Sequence, residues 1–184
     1  MSLENTNTVI ITCGDVNGIG PEICLKTIRN CGTGNEILIM PHEVFLETVK
    51  LTSTDIPYNL VKTKDSLKHN TGQIQVLSPG EIEINPSKTT AEAGRISYNA
   101  IIKAYELVRE NYGSFMVTAP ISKESFGLAG IDFPGHTELI ASLCNSENFM
   151  MMFLSDVMKG AIVTIHEPLA SVSEFITENN LAKA

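Results

Sequence analysis

The sequence predicts an α/β fold in which a parallel sheet is covered by helices. Three observations carry this. Short β-rich runs alternate with helical stretches along the first part of the chain, the order expected when strands are joined by helical crossovers. The first of these runs lacks clean apolar–polar alternation, as a strand buried on both faces does. The chain has 184 residues, 43% hydrophobic and 18% charged, enough for one sizeable core or two small ones.

The first strand is Thr8–Cys13, followed by the loop Gly14-Asp-Val-Asn-Gly-Ile-Gly-Pro-Glu22 and a helix over Glu22–Asn30. Pro21 suits the first helical turn, where its missing N–H costs nothing, and Glu22 suits the positive end of the helix dipole. Gly32 and Gly34 stop this helix. Glu36–Met40 is a second strand and Pro41–Lys50 a second helix. Strands are expected at Tyr58–Val61, Gln73–Leu77 and Glu81–Ile84, with the polar stretch 62–71 an exposed connection. Thr89–Tyr112 is the clearest helix: Ala93, Ile96, Ala100, Ala104, Leu107 and Val108 recur at spacings of three and four, with Thr90 as cap and Gly113 as stop. Ser114–Thr118 is a strand, a short helix runs through Leu128, and the Pro134-Gly135 turn delivers His136. Phe149–Leu154 and Gly160–Ile165 are too close for a parallel crossover and read as an antiparallel hairpin. A helix begins in 171–181. A domain boundary falls near 113, giving 1–113 and 114–184.

Composition excludes several classes. Net charge is −8 with no block of Lys or Arg, which argues against nucleic acid. The longest apolar run, 149–154, is far too short to cross a membrane, and the polar N-terminus lacks a signal-peptide core; a cytoplasmic location is expected. Cys13, Cys24, Cys31 and Cys144 form no CxxC pair or zinc-finger spacing and read as reduced, buried thiols.

Two histidines mark a cleft. His136 lies in Phe133-Pro-Gly-His-Thr-Glu138 and His166 in Ile165-His-Glu-Pro-Leu169, each at the edge of an apolar element, where ligands are usually met. Imidazole pairs suit zinc and similar ions, but two ligands do not complete a site. The Gly14–Pro21 loop sits between strand and helix, where free amides bind anions, yet it is neither GxGxxG nor a P-loop; ligand contact and a merely tight turn both remain open. Asp15 is its residue most suited to face a cleft, or to bond its own turn. Lys123, just past the strand end Thr118-Ala-Pro120, is placed to neutralise a phosphate or carboxylate or simply to be solvated.

Four motifs occur in order: Gly14-Asp-x-x-Gly18-Ile-Gly20-Pro-Glu22, Thr118-Ala-Pro-Ile-Ser-Lys123, Gly135-His-Thr-Glu138, and 151–169 ending in His166-x-Pro-Leu169. Across essentially its whole length the chain resembles the PdxA family, the 4-hydroxythreonine-4-phosphate dehydrogenases of pyridoxal phosphate biosynthesis. The resemblance implies an isocitrate/isopropylmalate-dehydrogenase-like fold, with two α/β/α domains around a cleft, and a homodimer. It implies oxidation of 4-phosphooxy-L-threonine by NAD or NADP to a 3-keto acid, which loses carbon dioxide to give 3-amino-2-oxopropyl phosphate. A divalent metal (zinc, cobalt or magnesium) serves as Lewis acid. By matching position, His136 and Thr137 meet the small phosphorylated hydroxy-acid substrate, and Lys123 is a further candidate there. His166 matches a metal ligand, and Gly14, Asp15, Gly18 and Gly20 are carried as cofactor candidates.

Two departures bear on these expectations. Val16-Asn17 stands where many members have Pro-Ala, and Ser122 where some have histidine, a serine common in the branch resembling phospho-threonate or phospho-erythronate dehydrogenases. Family members are also longer. Their remaining metal histidines lie in Asn-Pro-His and His-Asp-Gln motifs that this sequence does not contain. The chain is therefore expected to be an N-terminal portion with both domains incomplete, or a non-catalytic remnant that keeps half the fold.

Overall fold

A computed structural model describes residues 8–68, 71–147, 149–164 and 167–183. The chain divides into two compact units, Met1–His136 and Thr137–Ala184.

The first unit is built on a five-stranded, wholly parallel sheet of β1 (Val9–Thr12), β2 (Glu36–Ile39), β3 (Tyr58–Val61), β4 (Ile74–Leu77) and β5 (Phe115–Thr118). Their order across the sheet is β3-β4-β2-β1-β5. Every residue of β2 and β4 is buried, so both faces are covered at the centre of the sheet and these strands need no alternation. The acidic member of that run, Glu36, is tolerated because its carboxylate accepts from Thr33 N, Thr33 Oγ1 and Gly34 N at 2.6, 3.0 and 3.0 Å, as a buried charge requires.

Helix α1 (Gly20–Cys31) has Pro21 in its first turn and ends at Gly32, whose N–H bonds Ile28 O. It packs on α2 (His42–Thr52), while α3 (Ala91–Arg109) packs on β1, β2 and β5. Thr90 caps α3, its Oγ1 accepting from Ala93 N at 3.1 Å. Ala93, Ile96, Ala100, Ala104 and Leu107 form its buried stripe. A short α4 (Lys123–Leu128) then crosses α3.

Several expectations change. Residues 81–84 form no strand, because their polar groups are claimed elsewhere: Ile82 N–H donates to Glu43 Oε1 at 2.8 Å, and Asn85 N–H to Asn17 Oδ1 at 2.9 Å. Helix α3 stops before Gly113; Asn111, at φ 63°, makes the left-handed turn, while Gly113 is buried against Ile10. The boundary expected near 113 falls inside the first unit, since β5 pairs with β1 from Val9↔Phe115 to Thr12↔Thr118. Only Cys13 and Cys24 are buried; Cys31, at the last turn of α1, and Cys144, just past a helix end, are exposed.

In the second unit, α5 (His136–Leu143) starts at the division, and β6 (Met151–Leu154) pairs antiparallel with β7 (Lys159–Ile162). Ser155 closes this hairpin, its N–H donating to Met158 O at 2.9 Å and its Oγ accepting from Met158 N at 3.0 Å. The single helix expected over 171–181 is two: α6 (Val172–Phe175) and α7 (Glu178–Lys183). Thr177 restarts the chain, its Oγ1 accepting from Asn180 N–H at 3.2 Å. No helix among the described residues is long and apolar enough to cross a membrane.

Candidate active site at the sheet switch point

The strand order locates the site. From β1 the chain crosses through α1 to β2 on one side, whereas the crossover through α3 brings β5 to the other side. Strand order therefore reverses between β1 and β5, and in open α/β sheets ligands bind beyond the carboxyl ends of the strands at such a reversal. Thr12 and Thr118 are paired at these ends. The next residues are Cys13-Gly14-Asp15 on one side and Ala119-Pro120 on the other.

The two loops meet through backbone. Asp15 N–H donates to the Pro120 carbonyl at 2.8 Å. Gly14 has φ 64°, and a Cβ there would overlap the same oxygen, so both conformation and space require glycine. Gly20 is needed for space alone, since a Cβ would strike Cys13 O. Gly18 N–H is spent on Asp15 O at 3.2 Å and Asn17 N–H on Asp15 Oδ1 at 3.1 Å. The amides of Asp15, Asn17 and Gly18 are thus bonded inside the fold, and close packing accounts for Gly14 and Gly20. Asp15 is half-buried and turned toward its own loop. Burial raises its carboxyl above the ordinary 3.8, against the Asn17 amide, which lowers it.

Asn17 is the residue that sequence reasoning left without a role. Its buried side chain receives Asn85 N–H and donates to Lys88 O at 3.0 Å and Thr90 Oγ1 at 3.4 Å, while its carbonyl takes Ser87 N–H at 2.8 Å. One amide thus straps residues 85–90 across the glycine loop. Ser97 is the second such residue. It stands on the apolar stripe of α3, and its Oγ reaches Gly14 O at 2.7 Å as well as Ala93 O at 2.9 Å. A serine within an alanine–isoleucine stripe was the signal available in the sequence.

His136 stands at the end of this unit. Its ring is hydrogen-bonded to the Ala119 backbone. The Ala119 amide is already spent on Thr12 O at 3.2 Å, so the carbonyl is the partner. Nε2 is buried without a partner, which identifies Nδ1 as the donor. Burial lowers the imidazole below its ordinary 6.5, with the Ala119 bond opposing. The ring is therefore neutral near pH 7, and a bare Nε2 lone pair is its free function.

The remaining candidates are placed as follows. Thr137 is half-buried in the first turn of α5, in the second unit. Lys123 is exposed at the start of α4, whose cap Ser122 accepts from Ser125 N–H at 3.1 Å. His166 lies outside the described residues. His42 is half-buried with Nε2 3.1 Å from Tyr58 Oη. Among the described residues no three His, Cys, Asp or Glu side chains are grouped to hold a metal ion. The described residues therefore do not fit a closed metal centre. The buried thiols are not reactive either: burial pushes Cys24 up to about 12 and Cys13 higher still.

Residues 33–184 match the sequence family of the pyridoxal phosphate biosynthetic protein PdxA. The chain belongs to the PdxA family. A PdxA relative, the 4-hydroxythreonine-4-phosphate dehydrogenase of Prosthecochloris aestuarii, is 37% identical over 95% of this chain and 55% of its own length. The D-threonate 4-phosphate dehydrogenase of Salmonella typhimurium is 30% identical over 88% of this chain and 51% of its own. The chain thus spans about half the length of these curated relatives. The solved 4-hydroxythreonine-4-phosphate dehydrogenase of Klebsiella pneumoniae has the same fold over 98% of this chain and 57% of its own, with TM-score 0.85 at 23% identity.

Proposed function

We propose that this PdxA-family chain supplies the substrate side of an NAD(P)-dependent dehydrogenase acting on a four-carbon phosphorylated hydroxy acid. 4-Hydroxythreonine 4-phosphate is the first choice and D-threonate 4-phosphate the second, as the names of the relatives suggest. The observation that carries this reading is His136: neutral, fixed to the Ala119 carbonyl, with Nε2 bare beside the switch point of the sheet. Such a nitrogen accepts a hydrogen bond from a substrate hydroxyl and cannot donate one. Thr137 and Lys123 are the further substrate residues, Lys123 as a solvated cation for the phosphate or carboxylate.

The nicotinamide supplies the hydride acceptor. The alcohol carbon gives its hydride to the nicotinamide and the hydroxyl releases its proton to solvent; the resulting 3-keto acid then sheds carbon dioxide. His136 serves this sequence by orienting the hydroxyl through Nε2. The divalent metal implied by the resemblance rests on His166, and no step is assigned to it. We further propose the isocitrate-dehydrogenase-like arrangement of two domains for the whole protein, and a homodimer in the cytoplasm.

The test uses the protein as expressed from its gene, with both phosphorylated acids, NAD and NADP, and a series of divalent metals. Metal-dependent NAD(P) reduction with one of the acids is expected. His136→Ala should raise KM by roughly 10-fold or more, the loss of a hydrogen bond to a positioned group, while metal content stays near normal. Absence of any NAD(P) reduction with both acids overturns the reading.

A further inference from the structure

The Ala119–Pro120 step that carries His136 is held from two directions. From the glycine loop, Asp15 N–H bonds the Pro120 carbonyl at 2.8 Å and Gly14 packs on the same oxygen. The loop is itself held by α3, through Ser97 Oγ on Gly14 O at 2.7 Å. From the other direction comes α4, which begins three residues after Pro120 and lies directly on α3. The contact is close enough that a Cβ on Gly94 would overlap the carbonyl oxygen and carbon of Ser125.

Gly94 stands four residues from the cap of a 19-residue helix without a positive φ. Its backbone does not require glycine, and glycine is a poorer choice than alanine in a helix interior. The residue is explained by the close approach of α4. Ser97 is likewise a poor choice for a buried helical stripe except for the bond it makes outside the helix. The two residues are three apart and lie on one face of α3, one bracing each arm of the Ala119–Pro120 step.

We infer that Gly94 and Ser97 are positioning residues for His136, fixing its ring through the Ala119 carbonyl. Neither touches the ring or a ligand. The inference builds on the substrate-side reading of His136, but its test reads the ring itself and does not depend on turnover.

The experiment is nitrogen-15 NMR of the histidine rings in the protein, with His136 assigned by its loss in His136→Gln. In the parent protein His136 should show a single tautomer protonated on Nδ1. Gly94→Ala should displace α4, abolish the single-tautomer signature and move the titration midpoint back toward the ordinary value. Ser97→Ala should do the same to a smaller extent. Gly127→Ala lies on α4 where a Cβ meets nothing within 4 Å, and it should leave the ring signals unchanged. The inference is overturned if folded Gly94→Ala and Ser97→Ala keep the parental tautomer and midpoint, or if Gly127→Ala disturbs the ring equally. Should Gly94→Ala not fold, Ser97→Ala decides alone. A ring response with no dehydrogenase activity would retire the proposed function and leave this inference standing.

Discussion

At the scale of single residues, Asp15 and His136 both titrate against the burial that surrounds them, with opposite consequences for stability. His136 is lowered from 6.5 in the folded chain, so below that pH the unfolded chain binds the extra proton first and the native state loses stability as pH falls. His136→Gln should remove this acid limb. Chemical denaturation of both proteins from about pH 7.5 to about pH 5.5 reads it, and equal slopes would show that the ring is not shielded. Asp15 is raised from 3.8, so the folded chain holds its proton longer and stability falls as pH rises through that window. Asp15→Asn keeps an acceptor for the Asn17 amide and lacks the charge. It should gain stability relative to the parent between about pH 3.5 and pH 7, and a difference independent of pH would contradict the assignment. His136 itself was legible in the sequence as a histidine delivered by a Pro-Gly turn. Its partner was not, because the Ala119 carbonyl is backbone and carries no signature in residue type.

At the scale of elements, the segments that were legible are those where pattern and packing agree. Helix α3 has a periodic stripe and a Thr90 cap, and both occur. Strands β1, β2 and β5 are unbroken apolar runs leading to glycine or proline. The segment 81–88 has strand-like alternation over four residues, yet it is held by single side chains from distant parts of the chain, Glu43 and Asn17. No local pattern encodes such partners. Asn17→Ala should therefore act far from its own loop. It removes the buried acceptor for Asn85 N–H and the donor to Lys88 O, at a cost of roughly 2–3 kcal/mol. Amide exchange at 85–90 should accelerate while the β1–β2 ladder stays protected; an unchanged 85–90 segment would show that the strap is incidental. The break at Thr177 was missed for the same kind of reason, since one threonine hydroxyl decides where a new helix starts.

At the scale of the whole molecule, the parallel sheet could be anticipated from the order of its elements, but its strand order could not. That order determines where the glycine loop and the 118–123 motif meet. The second unit presents a different situation. Its hairpin exposes Met152 and Phe153, each 57% accessible, on opposite faces, with Leu154, Val157 and Met158 also in solvent. A two-stranded hairpin is marginal alone, and exposed apolar patches are typical of interaction sites in general. If the second copy of the proposed homodimer covers this hairpin, sedimentation should give a dimer at micromolar concentration. Replacing Met152 and Phe153 with lysine should shift it to monomer without unfolding the first unit. A monomeric parent would refute the self-association.

The pairing of β1 with β5 joins two parts of the chain that are made at well-separated times. Among the described residues β1 precedes the other strands of its sheet, and the neighbour that completes it on the side of the Gly14 loop is synthesised roughly a hundred residues later. Until then β1 has a ladder on one edge only, and the Gly14 loop has nothing to close against. The β1–β5 pairing is the most distant in sequence within this sheet. Contacts so distant in sequence are slow to form, and closure of the Gly14 loop on Pro120 waits on this pairing.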